Sequence, residues 1–277
     1  MRILTPFIVL FGILCTQLAE AQLLDKEDER RLLAETKQVN QFFRRFNGEE
    51  DEKGERYYAR DKAYRSEKLR KKYIGILFDA DNKSISSDLK VQFAKDALDK
   101  THPAILDFHS GNWFAEVNTV FVMNGKNEPV TLLMELEKAQ EGYKWVINRI
   151  HADVFDPYFK RDTTRVGRFL HPMSHELDFM NLRKAFNYTD SISQFTVKRF
   201  VPDHLSIFLY EVKRGNLKFK TVEQVKFHFF QVKGWYFEIS EFNRSGYNNG
   251  WLISNLVKLN NESETKILRK YLNYEGR

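Results

Sequence analysis

Apolar residues in the first hundred positions recur at the spacing of a helix. Over residues 23–46 they form one stripe, which predicts an amphipathic helix that ends at Asn47-Gly48. Charges of both signs fill 49–72, and this stretch is predicted to be a loop that passes into a second helix. A third amphipathic pattern predicts a helix over 87–100.

The hydrophobic period shortens to two residues after this helical region, which indicates β-strands. The predicted strands of the first half are 113–123, 130–136 and 143–150. Glycine-containing turns separate them, and Asn124-Gly125 is the strongest of these turn signals. Three antiparallel strands that follow helices predict an α+β layer with helices on one face of the sheet.

The same order of elements repeats in the second half. A helix over 175–186 precedes four predicted strands, and an amphipathic helix over 262–272 closes the chain. The predicted strands of this half are 205–212, 217–232, 235–242 and 251–259. Residues 156–172 contain several breaker signals and no sustained period. We therefore predict domains over 22–155 and 173–277, joined by a linker over 156–172.

The first 21 residues have the pattern of a signal peptide. Arg2 precedes an apolar run from Ile3 to Leu18, and Ala19-Glu20-Ala21 is a small-x-small cleavage signal. The run is short for a membrane-spanning helix. An uncleaved anchor and a lipoprotein acylated at Cys15 are the alternatives.

Cleavage after position 21 would remove the single cysteine, Cys15. The mature chain would then have no disulfide, no thiolate metal site and no cysteine nucleophile. Because cysteine-free exported proteins are typical of bacterial envelopes, we expect a periplasmic or extracellular bacterial protein. We do not expect an integral membrane protein after signal cleavage.

Composition excludes several broad classes. With 277 residues, 42% hydrophobic residues and 30% charged residues, the chain can bury a core and is neither disordered nor polytopic. The formal charge is +6, but basic and acidic residues alternate in the most charged sector, 25–72. Nucleic acid is therefore not an expected partner, because nucleic-acid binding requires a face of one sign.

The aromatic strands after Gly142 and Gly234 carry the sequences GYKWVI and GWYFEI. Helices followed by a bent antiparallel sheet with such strands resemble the cone-shaped α+β fold of the nuclear transport factor 2-like superfamily. The resemblance covers residues 80–160 and 172–260, and it implies two tandem helix-then-sheet halves preceded by a charged N-terminal helix. A cystatin-like fold and a plain orthogonal sandwich are the alternatives. The superfamily contains isomerases, dehydratases and non-enzymatic binding domains, so the resemblance does not select a function.

Candidate chemistry is sparse in this sequence. His171 and His175 are four residues apart, but Pro172 is placed to begin a helix and Ser174 to cap it, so we predict no metal site. His228 lies between two phenylalanines and is expected to face solvent. Other titratable residues have no recognisable catalytic spacing, so catalytic residues are not assigned and no cofactor is predicted. These residues are Asp107, His109, His151, Asp153, Asp156 and His204.

Aromatic residues in the second half occupy both faces of the predicted strands. One set is expected to form the core: Phe219, Phe227, Phe229, Trp235 and Phe237. A second set is the predicted ligand-binding surface: Tyr210, Phe230, Tyr236, Tyr247 and Trp251. The alternative is that helices simply cover this second set.

The sequence thus predicts an exported, non-enzymatic binding or envelope-accessory protein. Its expected partner is a small molecule, a peptide or an envelope polymer. The alternative function is a small-molecule isomerase, dehydratase or hydrolase that uses the pocket of one α+β half. A pocket that encloses a buried Asp or His would favour the enzyme, whereas an open aromatic groove would favour the binding protein.

Overall fold

The computed structural model describes residues 39–51, 53–140, 142–159, 170–187, 192, 194–197, 199, 203–246 and 248–272. The predicted signal peptide and most of the predicted helix over 23–46 lie outside the described residues. The chain divides into two compact units. The first unit contains the described residues up to Phe114 and from Lys226 onward, and the second unit is Ala115–Val225.

The first unit is therefore built from two separate stretches of chain. This division differs from the predicted domains 22–155 and 173–277, and the predicted linker 156–172 lies within the second unit.

The secondary structure alternates between helical and strand regions along the chain. The α-helices are α1 (Val39–Asn47), α2 (Glu67–Ile76), α3 (Ser87–Ala97), α4 (Asp156–Phe159), α5 (Leu182–Phe186), α6 (His204–Lys213) and α7 (Glu262–Tyr271). The strands are β1 (Trp113–Met123), β2 (Lys126–Ala139), β3 (Gly142–His151), β4 (Leu217–Phe229), β5 (Trp235–Phe242) and β6 (Gly250–Lys258). Short 3-10 helices lie at Asp153–Phe155 and Pro172–Leu177.

The six strands form an open antiparallel sheet in the order β3-β2-β1-β4-β5-β6. The predicted turn between β1 and β2 is present, with Asn124 and Gly125 both at positive φ (52° and 77°). A two-residue turn with both residues at positive φ has a backbone twist that matches the twist of the two strands it connects. The mixed α+β class predicted from the sequence is confirmed.

Aromatic rings fill the core of the first unit. Phe229 and Phe237 stack at 4.8 Å between centroids, and Phe46 of α1 stacks on Phe237 at 6.2 Å. Phe93 of α3 contacts Trp235 edge to face at 5.3 Å. These contacts bury the aromatic face of β4 and β5 beneath α1 and α3, and four of the five predicted core residues are buried: Phe227, Phe229, Trp235 and Phe237.

The second unit has its own, mainly aliphatic core. Buried residues of β1, β2 and β3 pack there with Ala152 and Phe155 after β3, with Phe208 of α6 and with Leu217 of β4. Phe219, the fifth predicted core residue, is 60% exposed. The prediction for Phe219 is wrong because the first half of β4 after Leu217 is exposed on both faces, so the alternation there does not mark burial.

Three local predictions are wrong for identifiable reasons. The predicted strand 205–212 is helix α6, whose N-terminus is capped by Asp203 through the amides of Leu205 and Ser206. The predicted helix 175–186 is interrupted by left-handed residues after the 3-10 helix Pro172–Leu177. The cap of that 3-10 helix is His171, which accepts from the amide of Met173, rather than the predicted Ser174.

Candidate functional site

A cleft of about 650 Å³ lies in the first unit, between the C-terminal half of α1, the following loop up to residue 65 and the loop 105–109. Three arginines line it together with two carboxylates, two amides, a histidine and two phenylalanine rings. These lining residues are Arg44, Arg56, Arg65, Glu49, Asp107, Asn40, Asn47, His109, Phe43 and Phe108. The predicted binding surface did not include any of them.

A fully buried carboxylate, Glu50, fixes the wall of this cleft. Arg44 donates its Nε to Oε2 of Glu50 at 2.9 Å, and Arg45 donates its Nε to Oε1 at 3.1 Å. Gln41 Nε2 adds a third bond to Oε1 at 2.9 Å. All three donors lie on α1, and the chain reversal after Asn47 returns Glu50 to them. Because the carboxylate is paired and hydrogen-bonded, its burial is tolerated.

The neighbouring carboxylate, Glu49, binds the end of the loop at Arg65. Arg65 binds Oε1 of Glu49 with its Nε at 2.7 Å and with a terminal nitrogen at 2.6 Å, and Tyr64 Oη lies 3.3 Å from the same oxygen. The amide of Arg65 also donates to the carbonyl of Gly48 at 2.9 Å. Charge-assisted bonds of this kind fix the orientation of the guanidinium.

Arg56 differs from the two other cleft arginines. Its side chain is exposed, and its guanidinium lies 5.4 Å from the ring centroid of Tyr58. No carboxylate of the described residues forms an ion pair with it. Its hydrogen-bond donors are therefore available to an anion in the cleft.

Two side-chain amides hold the loop that forms the opposite wall. Asn47 exchanges two hydrogen bonds of 2.8 Å with the backbone of Leu106. Gln231 does the same with the backbone of Asp107, also at 2.8 Å for both bonds. Phe108 follows, and its ring packs against Phe43 at 5.3 Å. The loop is thus held by both side-chain amides, and its Phe108 lines the cleft.

Arg70 is a buried cation that connects three segments around this site. Its guanidinium donates to the carbonyls of Phe46, Ala97 and Ala104. Burial lowers the pKa of Arg70, and the positive charge of Arg65 lowers it further. Phe46 and Ala97 lie at the C-termini of α1 and α3, where the helix dipoles favour a positive charge. Arg70 therefore joins α1, α3 and the loop after α3.

A second cleft of about 490 Å³ adjoins the first, because Arg65 and Ile105 line both. Arg70 and Lys100 lie on its wall. Arg65 therefore stands between two clefts, both of which contain additional basic side chains.

Gly48→Ala is expected to lower the free energy of unfolding by about 2 kcal/mol. Gly48 has φ of +71°, and a Cβ there would lie 2.7 Å from Cγ of Arg70. The matched control is Gly75→Ala within α2, where an added Cβ meets nothing within 4 Å. We expect this control to be neutral or stabilising by about 0.5–1 kcal/mol. Urea denaturation of both variants measures the difference, and equal effects would contradict the proposed crowding at Gly48.

The structure separates the five predicted binding residues. Phe230 and Tyr236 contact each other at 5.1 Å between centroids, but they are 9% and 2% exposed and so offer no open surface. Trp251 is half-buried against Phe227. Tyr210 lies exposed on α6 in the second unit, on a helix instead of the predicted strand. Tyr247 lies outside the described residues.

His228 is also placed differently from its prediction. It is buried, its Nδ1 lies 2.7 Å from Oη of Tyr236, and its ring stacks on Phe114 at 4.5 Å. His228 does lie on the face opposite Phe227 and Phe229, as its position between them predicts. Its burial shows that this face of the strand pair is covered as well.

The other titratable candidates lie in separate places. Asp107 and His109 are in the cleft, where Oδ1 of Asp107 accepts from the amide of His109 at 2.9 Å. His151 and Asp153 form an exposed pair at 3.2 Å in the second unit, where His204 stacks on Phe159. Within the described part of the chain, no three possible metal ligands lie close enough together to hold an ion.

Comparison with known proteins gives no match to any family model, to any curated protein or to any solved structure. Among the helices that the structure describes, none is long and apolar enough to cross a membrane. The arginine-lined cleft is therefore the basis on which a function is proposed.

Proposed function

We propose that this protein is an exported, non-enzymatic binding protein, and that its arginine-lined cleft accepts a ligand with a carboxylate or phosphate group. The observation that carries the proposal is Arg56, an exposed guanidinium in a concave site without a carboxylate partner among the described residues. A guanidinium presents five N–H donors in a planar fork, which matches the oxygens of these acid groups.

Preorganisation of the other two arginines supports the same ligand class. Glu50 positions Arg44, and Glu49 positions Arg65, before any ligand arrives. The bond from Arg44 uses only its Nε, so its terminal nitrogens retain donors for a ligand. Side chains that are already ordered lose little entropy on binding, which increases affinity.

The apolar residues of the cleft indicate which kind of chemical group lies next to the acid group of the ligand. Phe43 of α1 and Phe108 of the loop 105–109 line the same cleft as the arginines, and Asn40 is exposed there. A small molecule or peptide end with an acid group next to an apolar or planar part would use both kinds of surface. A longer anionic polymer would extend past Arg65 into the second cleft.

We retain the tandem, nuclear transport factor 2-like origin of the two halves as a further proposal. Its support is that β2–β3 and β4–β5 are both antiparallel hairpins with a positive-φ glycine before an aromatic strand. These glycines are Gly142 and Gly234.

A second candidate function is a small-molecule isomerase, dehydratase or hydrolase. Asp107 and His109 favour it, because both line the same cleft as Glu49. Conversion of a bound acid, detected by NMR after incubation with the full chain, would favour this candidate over simple binding.

Arg56→Gln is expected to weaken binding of an anionic probe about tenfold, because it removes a charge-assisted interaction. Inorganic phosphate, benzoate and an acetylated aspartate are suitable probes. Each probe that binds the native state should raise the melting temperature of the wild-type protein. Titration calorimetry then compares the affinities of the variants.

The matched control is Arg60→Gln, which changes an exposed arginine outside the cleft lining. This control should bind the probes as the wild type does. Equal loss in both variants would indicate a general charge effect, and no stabilisation by any of the probes would contradict the proposed ligand class.

A further inference from the structure

The sequence contains four Asn-x-Ser/Thr triplets, the pattern that accepts an N-linked glycan in an exported protein. Glycan transfer needs a side-chain amide nitrogen that a transferase can reach, and it needs room for a bulky polar group. The triplets begin at Asn82, Asn187, Asn243 and Asn261, and none has proline in the middle position. The triplet that begins at Asn187 lies partly outside the described residues, so the structure describes only the other three completely.

The side-chain amide of Asn82 is bound to the protein itself. Its Nδ2 donates to the backbone carbonyl of Ser254 at 2.6 Å, and its Oδ1 accepts from the amide of Ser84 at 2.8 Å. The residue is also half-buried. A glycan on Nδ2 would have to displace the bond to Ser254, which joins this loop to β6, so Asn82 is a poor acceptor.

Asn261 is the N-cap of α7. Its Oδ1 accepts from the amide of Glu264 at 2.9 Å, and its Nδ2 lies 3.2 Å from Oε1 of the same residue. Both ends of its side-chain amide are therefore engaged with the first turn of the helix. The third residue of the triplet, Ser263, lies within α7. A transferase that binds the triplet as a peptide would first have to unwind this turn, so Asn261 is also a poor acceptor.

Asn243 meets both requirements for an acceptor. It follows β5 directly and is exposed, and its side chain forms no hydrogen bond within the part of the chain that the structure describes. Ser245, the third residue of the triplet, is exposed in the same irregular segment between β5 and β6. A glycan on Asn243 would therefore extend into solvent without displacing a hydrogen bond of the side chain.

The middle residue of this triplet, Arg244, attaches the segment to the rest of the first unit. Its guanidinium donates to Oδ1 of Asp79 and to Oδ2 of Asp81, both at 2.6 Å. Its Nε donates to the carbonyl of Asn248, also at 2.6 Å. Arg244 is half-buried, whereas the residues on either side of it are exposed. Charge-assisted bonds therefore hold the segment through Arg244 and leave Asn243 accessible.

We infer that Asn243 is an N-glycosylation site. In the transfer, Nδ2 forms a bond to the anomeric carbon of an oligosaccharide that is carried on a lipid diphosphate. The bond between that carbon and the diphosphate oxygen breaks, the lipid diphosphate leaves with the electron pair, and the amide gives one proton to the transferase. No group is oxidised or reduced. The inference rests on the proposed export, and it requires that the exporting compartment contain this donor.

Cell-free translation of the full chain with microsomes of the endoplasmic reticulum tests the inference. Chains that enter the microsomes are protected from added protease, and they should carry a glycan that peptide N-glycosidase removes. Asn243→Gln and Ser245→Ala should each lose one glycan, whereas Ser245→Thr should keep it because threonine preserves the triplet. The matched controls remove the other three triplets and should not change the number of glycans: Ser84→Ala, Asn187→Gln and Ser263→Ala.

Uptake and glycan transfer are measured separately, so the two proposals can fail separately. Protected wild-type chains without a glycan would overturn the inference but leave the proposed export intact. Failure of the wild type to enter the microsomes would overturn both. The inference is also overturned if Asn243→Gln carries as many glycans as the wild type. None of these outcomes depends on the arginine-lined cleft, whose lining residues do not include Asn243.

Discussion

Glu50→Ala is expected to lower the free energy of unfolding by about 3–5 kcal/mol, the range for removal of one partner from a buried ion pair. The carboxylate is fully buried and receives bonds from Arg44, Arg45 and Gln41. Its removal leaves two guanidinium groups close together without their counter-charge. The wall of the cleft should therefore lose its order together with the global stability.

Urea denaturation at neutral pH measures this effect, and Glu55→Ala is the control because Glu55 is exposed in the same loop. The control should change the free energy of unfolding by no more than about 0.5 kcal/mol. Glu50→Gln keeps the shape of the side chain but not its charge, so we expect an intermediate loss. A loss for Glu50→Ala as small as that of the control would contradict the role assigned to the buried carboxylate.

Phe237→Ala is the second substitution with a large expected cost, about 3–5 kcal/mol, because it opens a cavity in a packed core. Its ring is fully buried and lies 4.8 Å from Phe229, 5.6 Å from Phe93 and 6.2 Å from Phe42, measured between ring centroids. These rings come from β4, α3 and α1. The cavity would therefore loosen every element that packs on β5.

Phe219→Ala offers a control with the same chemical change at an exposed position. It should cost less than about 1 kcal/mol, since most of that ring already contacts water. Thermal and urea denaturation of the two variants should separate them clearly. Similar losses would mean that the core of the first unit tolerates the missing ring by collapsing around it.

The hydrophobic period predicted most of the local structure of this chain. The strand over 113–123 matches β1, and the helix over 87–100 matches α3 apart from its last turn. The pattern of α3 is informative because one face of that helix, with Phe93 and Ala97, is buried, whereas β1 has consecutive buried residues and is buried on both faces along much of its length. Where burial departs from the pattern, as at Phe219, the same reasoning fails. Residues 205–212 form helix α6 instead of the predicted strand, because Asp203 caps the first turn of a short segment that is rich in apolar residues.

The candidate site was harder to predict, because its charges alternate along the sequence. A mixed-sign stretch is ordinarily a solvated surface, whereas here the reversal at Gly48 buries Glu50 against arginines of the preceding helix. The arginine pair 44–45 and the glutamate pair 49–50 on either side of Asn47-Gly48 were the available signal. The opposite wall of the cleft depends on Gln231, which lies 124 positions from Asp107. No local sequence pattern predicts a contact between residues so far apart in the chain.

The discontinuous first unit also sets an order for folding during synthesis. Phe42, Phe46 and Phe93 are made early, but their aromatic partners Phe229 and Phe237 follow more than a hundred residues later. A nascent chain that has not reached residue 226 therefore exposes a phenylalanine-rich surface that it cannot yet bury. The second unit, Ala115–Val225, is contiguous and can begin to fold before the first unit is completed. The unfinished chain should consequently be more prone to aggregation than the completed protein, until β4 and β5 are available to cover these rings.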